Sequence, residues 1–198
     1  MSHQSSLRDT VELPSTYRKH MTVDLKKDRK FAVAVQGIFV LVVLLAVVAV
    51  LLFDLLPATS WGPAVTIPVT LAACLVYMAV HEATHGVALQ LLTKVKPSYA
   101  VRFPFLTTGN HAYLTRRSGI IVALAPTVIW GIVLVVALLT LPPDYLLSAY
   151  ILLTLNFAGS AGDFVEVCVV SRQQRDALVK DDGNQIHVFV PGRSRLAN

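Results

Sequence analysis

His81, Glu82 and His85 form an H-E-x-x-H pentad inside the apolar run LVYMAVHEATHGVALQLL. A helix turns about 100° per residue, so His85 falls about 40° from His81 on one face, and both imidazoles can reach one metal ion. Glu82 lies about 60° from His85, close enough to bond a water beside that ion but poorly placed to be a third ligand. This is the spacing of zinc hydrolases. An ionisable group near the centre of a spanning helix costs about 2.5–3.5 kcal/mol on insertion scales, so the three need a partner that offsets the cost. A lone histidine would find that partner in a neighbouring helix. A complete pentad points to a metal.

Catalytic zinc takes three protein ligands and keeps an open position, so another segment must supply the third. The stretch YILLTLNFAGSAGDFVEVCVV offers Asn156, Asp163 and Glu166. Depth separates them. From Pro63 to His81 is about 27 Å of helix, and from Asp144 to Asp163 about 28 Å, so those two groups reach the same level. Asp163 is therefore the preferred ligand and Glu166 the alternative. Asn156 lies two turns deeper and is a candidate for contacting substrate or an oxyanion. Two glycines in Ala158-Gly159-Ser160-Ala161-Gly162 loosen the helix before Asp163 and let neighbours approach. Gly86, next to His85, allows the same close approach.

The elements that carry these residues are set by composition. Of 198 residues, 55% are hydrophobic and 15% charged, against about 25% charged in an average soluble domain. The apolar residues fall in four blocks, 31–53, 63–92, 119–141 and 145–170, each long enough to span a bilayer. Gln36 is the one polar side chain between Phe31 and Phe53. Residues 1–30 are too long and mixed for the charged region of a signal peptide, so the first block is expected to be a retained helix. Cys74 and Cys168 lie within the blocks and are expected to be packing residues.

All 17 Lys and Arg residues lie in three segments: before the first block, between the second and third, and after the fourth. With four spans these segments share one side, which the positive-inside rule makes cytoplasmic. Both termini are expected inside, in a multi-pass protein of the cell membrane. The formal charge of +5 then reflects topology and anionic lipid, and no nucleic-acid partner is implied. The expected fold is an all-α membrane protein of one domain: a cytoplasmic segment 1–30, four helices, a cytoplasmic loop 93–118 and a cytoplasmic tail 171–198. In the loop, Ser98–Phe103 reads as a strand, Thr107–Asn110 as a turn and His111–Thr115 as the return of a short β-hairpin. The tail ends in the strand-like IHVFVP. Pro126 is expected to kink the third helix. His3, His20, His111 and His187 lie in polar segments and are expected to be ordinary surface histidines.

HEATHG in one span, with Asn156 and Asp163 in NFAGSAGD of a later one, resembles the site-2-protease-like membrane zincins and, more closely, the DUF3267 family of zincin peptidases. The resemblance covers most of the chain. It implies a Zn2+ ion held by His81, His85 and Asp163, with Glu82 as general base. It also implies hydrolysis of membrane proteins or membrane-associated peptides near the cytoplasmic face, the hairpin pairing with an extended substrate. The sequence departs from site-2 proteases in lacking their LDG motif, since Asp163 is followed by Phe164. The alternative is a zinc protein that senses or carries metal without catalysis, for which Glu82 would be dispensable. A structural membrane protein without metal is a further alternative.

Overall fold

The computed structural model describes residues 8–25, 27–56, 59–102, 105–109, 111–182 and 185–192. Four helices are long and apolar enough to cross a membrane: α1 (Arg29–Phe53), α2 (Pro63–Thr93), α3 (Arg116–Thr140) and the pair α4 (Pro143–Gly159) and α5 (Ala161–Ser171). Among the described residues, none of α1 is buried, and Leu51 is 77% exposed. Water would not tolerate such a surface, whereas lipid tails would. The ends of the helices follow local chemistry. Pro63 and Pro143 open α2 and α4 where a missing N–H costs nothing. The Thr115 side chain caps α3 by accepting from the Ser118 N–H. Lys94 closes α2 in the left-handed conformation, with φ 60°.

Short polar contacts lock the helices together. Thr70 and Ser148 share a buried hydrogen bond of 2.7 Å, Trp130 Nε1 donates to Thr84 Oγ1 at 2.9 Å, and Tyr150 donates to the Ala46 carbonyl at 2.8 Å. At the end of the bundle away from the basic segments, Asp144 accepts from the Ser60 N–H, the Ser60 hydroxyl and the Thr59 hydroxyl. That clamp ties the α1–α2 connection to the start of α4.

The basic end is not all-α. Strands β1 (Tyr17–Val23), β4 (Leu114–Thr115), β5 (Leu178–Asp181) and β6 (Ile186–Pro191) form an antiparallel sheet in the order β1-β6-β5-β4. The strand-like tail is thus the inner part of a sheet whose edge is a strand from the polar N-terminal segment. In β6 burial alternates strictly, with Ile186, Val188 and Val190 inward, the period of a half-buried strand. The sheet packs under α5, where Val23, Val179 and Ile186 join Val165, Val169 and Val170, against Phe31, Val35 and Ile38 of α1.

The hairpin also differs from expectation. Strands β2 (Ser98–Arg102) and β3 (Phe105–Gly109) pair with Ser98 opposite Gly109 and Arg102 opposite Phe105. Residues 103 and 104, between the two strands, lie outside the described residues, as does Asn110. Proline has no N–H to give a ladder, so Pro104 belongs at a reversal rather than in a strand. Leu114 and Thr115, expected as the returning strand, pair instead with β5 as β4.

The fourth span breaks at Ser160, whose φ of −76° and ψ of 9° end α4 and start α5. Its buried hydroxyl accepts from Thr127 at 2.6 Å and donates to the Asn156 carbonyl at 2.7 Å. The break falls in the small-residue run and separates Asn156 from Asp163.

Leu178 is fully buried in the sheet. Leu178→Ala is expected to destabilise the protein by about 2–5 kcal/mol, seen as a lowered melting temperature in detergent micelles. An unchanged melting temperature would show that the buried interior around β5 contributes nothing to stability.

Candidate metal centre

The last four turns of α2 and the first of α5 bring His81, His85 and Asp163 together. His81 Nε2 lies 3.5 Å from Asp163 Oδ2, and His85 Nε2 lies 3.5 Å from Asp163 Oδ1. The two rings stand nearly edge to face, with centroids 5.0 Å apart. Both histidine side chains are 12% exposed.

The far nitrogen of each ring is also held. His85 Nδ1 lies 3.0 Å from the Val122 carbonyl oxygen. A carbonyl only accepts, so Nδ1 carries the proton and Nε2 presents a lone pair. His81 Nδ1 lies 3.2 Å from the Tyr77 hydroxyl. That hydroxyl spends its own proton on Asn156 Oδ1 at 2.5 Å, so it accepts from His81. His81 Nε2 is bare as well. Two bare nitrogens and a carboxylate therefore face one another.

Such a group needs a positive charge at its centre. Protonated imidazoles would bond a carboxylate at about 2.7–2.9 Å, shorter than the observed 3.5 Å. A tetrahedral zinc ion with bonds of about 2.0–2.2 Å keeps its ligands about 3.3–3.5 Å apart. The spacing and the donor set both fit zinc.

Glu82 completes the cluster. One potential ligand atom from each of His81, Glu82 and His85 lies within 4.8 Å of the others. Of the two carboxylates, Asp163 meets both imidazoles, whereas one oxygen of Glu82 is held by a neighbouring hydroxyl. Thr108 Oγ1 lies 3.0 Å from the Glu82 carbonyl oxygen and 3.1 Å from Oε2. Thr108 stands on β3, so the hairpin rests directly on this carboxylate. Gly86 permits that packing: a Cβ there would meet the Tyr99 hydroxyl of β2 at 2.0 Å.

Asn156, expected to contact substrate, is fully buried. Its amide is engaged by Tyr77 and, through Nδ2, by the Thr127 carbonyl at 3.0 Å. It does not line the cavity beside the site. Glu166 lies nearly one turn beyond Asp163, within electrostatic reach of Asp163 and Asp181. Among the described residues, the ion-pair contacts of both histidines run to Asp163. Tyr77 and Thr108 did not emerge from the sequence. Tyr77 carried a signal, since it stands four residues before His81 on the same face. Thr108 carried none, because its contact depends on how the hairpin folds back.

The cavity, of about 590 Å³, opens between α1, α2 and the α4–α5 junction. Phe39, Met78, Leu155 and Ala158 give it apolar walls, and Gln36, Tyr77, His81, Glu82 and Asp163 supply polar groups.

Residues 74–178 match the protein family DUF3267, described as "putative zincin peptidase". The chain belongs to this family. The match takes in every side chain of the cluster, together with Tyr77, Thr108 and Asn156, and leaves out α1 and β6. No curated protein and no solved structure matches the chain.

Zinc analysis of purified protein should find about one ion per chain. His81→Ala, His85→Ala and Asp163→Asn should each lose most of it, and Glu166→Gln should retain it. Loss with Glu166→Gln and retention with Asp163→Asn would reverse the choice of third ligand.

Proposed function

We propose that the protein is a membrane-embedded zinc metallopeptidase that hydrolyses peptide bonds of membrane proteins or membrane-associated peptides. The convergence of two bare imidazole nitrogens and one carboxylate carries this reading, with the family's description in support. His81, His85 and Asp163 would hold the ion. When bound, zinc supplies Lewis acidity, which makes water nucleophilic near neutral pH and polarises a carbonyl.

The chain's own residues do the rest. Glu82 takes one proton from the attacking water on its carboxylate and delivers it to the nitrogen of the leaving amine. The hydroxyl part of the water joins the carbonyl carbon as the C–N bond breaks, so the products are a carboxylate and an amine. Thr108 holds Oε2 of Glu82 and leaves the other oxygen to work. The cavity would receive the substrate segment between α1 and α2, and α1 packs mainly on α4 and α5. A helical segment hides its peptide bonds, so substrate must unwind locally there. Gln36, on α1, is a polar group that could meet the exposed backbone.

In this reading the basic segments and both termini face the cytoplasm, and the sheet closes the cytoplasmic end of the bundle. The active site lies near that face, where water can enter.

Glu82→Gln keeps the shape of the side chain and removes its basicity. It should lower cleavage of a membrane-derived peptide library by about 10²–10⁴-fold and leave the zinc content unchanged. Cleavage that survives this substitution would exclude Glu82 as the base, and a wild type that binds zinc but cleaves nothing would favour a protein that binds zinc without catalysis.

A further inference from the structure

We infer that α3, which contributes no ligand, sets the tautomer of both zinc-binding histidines through two of its main-chain carbonyls, with Pro126, Tyr77 and Asn156 as positioning residues. The inference rests on the zinc reading above.

The first carbonyl is that of Val122. In a regular helix it would accept from the N–H four residues on. That residue is Pro126, which has no N–H. The helix continues unbroken through Pro126, so the Val122 oxygen lacks its usual helical partner. His85 Nδ1 takes that place at 3.0 Å. Pro126 is buried where α3 meets the rest of the bundle, and its effect is to present an acceptor to α2. A kink was the simplest expectation for this proline. An acceptor for a histidine is a more specific use.

The second carbonyl is that of Thr127, and it acts through a relay. Because it only accepts, it fixes which end of the Asn156 amide faces it: Nδ2 donates at 3.0 Å. Oδ1 must then face Tyr77 and take its proton. The Tyr77 oxygen is left to accept from His81 Nδ1. Each link has one allowed direction, and the last one leaves Nε2 of His81 bare towards Asp163. Gly131 leaves room for the relay, since a Cβ there would stand 3.3 Å from Asn156 Nδ2.

A ligating histidine is oriented and made more basic by the acceptor on its other nitrogen, and losing that acceptor typically weakens metal binding about 10–100-fold. The test is zinc affinity of the full-length protein in detergent, measured by competition with a chromophoric chelator. Tyr77→Phe and Asn156→Ala should each weaken binding by about 10–100-fold. Adding Asn156→Ala to Tyr77→Phe should cost nothing more, because both act through one bond. Pro126→Ala restores the competing N–H. It should weaken binding without lowering the melting temperature, and its effect should multiply with that of Tyr77→Phe because it acts on the other histidine. A merely structural role would couple affinity to melting temperature and make the Tyr77 and Asn156 effects additive, and either result would overturn the inference. So would wild-type affinity in both Tyr77→Phe and Pro126→Ala. If the wild type itself takes up no zinc, the metallopeptidase reading fails and this inference with it.

Discussion

Two imidazoles and a carboxylate meet at the junction of α2 and α5 with their lone pairs turned towards one another and the imidazole protons turned away. Nitrogen lone pairs of His81 and His85 face the two oxygens of Asp163 at 3.5 Å. In a setting of low dielectric this arrangement is repulsive without a cation. The surrounding structure serves to impose it. Val122 and Tyr77 hold the rings from behind, the break at Ser160 lets α5 start anew just before Asp163, and the sheet packs under α5. Stability is thus spent on an arrangement that a bound cation would make favourable, as in metal sites coupled to folding.

The break in the fourth span is central to this. A continuous helix from Pro143 to Ser171 would fix the angle between Asn156 and Asp163. Ser160 leaves helical geometry and still satisfies its neighbours, with bonds from Thr127 and to the Asn156 carbonyl. Such a departure is tolerated at membrane depth because it is buried in protein rather than exposed to lipid. The upper segment can then carry the buried polar relay while the lower one presents the carboxylate to the cavity.

Much of this was legible in the sequence because it rests on periodicity. The pentad lies on one helix face, and the four apolar blocks match the helices within three residues at each end. The level shared by His81 and Asp163 followed from counting turns. What was not legible depends on contacts distant in sequence. In β1, YRKHMTV carries Arg18, Lys19 and His20 on exposed positions, and the basic residues read as a topology signal rather than as an edge strand. The β4 pair Leu114–Thr115 is too short for a pattern. Thr107 to Asn110 has turn composition and draws a predicted reversal towards it, whereas Thr107 and Thr108 pair with Ala100 and Tyr99. Asn156 reads in the sequence as a polar residue out of place, but its partner Tyr77 lies 79 residues away and meets it only through the packing of α2 on α4.

The central claim is that His81, His85 and Asp163 are the protein ligands of one zinc ion. X-ray absorption at the zinc edge of the zinc-loaded protein measures that shell directly. The predicted result is a shell of nitrogen and oxygen at about 2.0–2.2 Å with the outer scattering of two imidazoles. A shell with sulfur, or one that shows no imidazole, would contradict it.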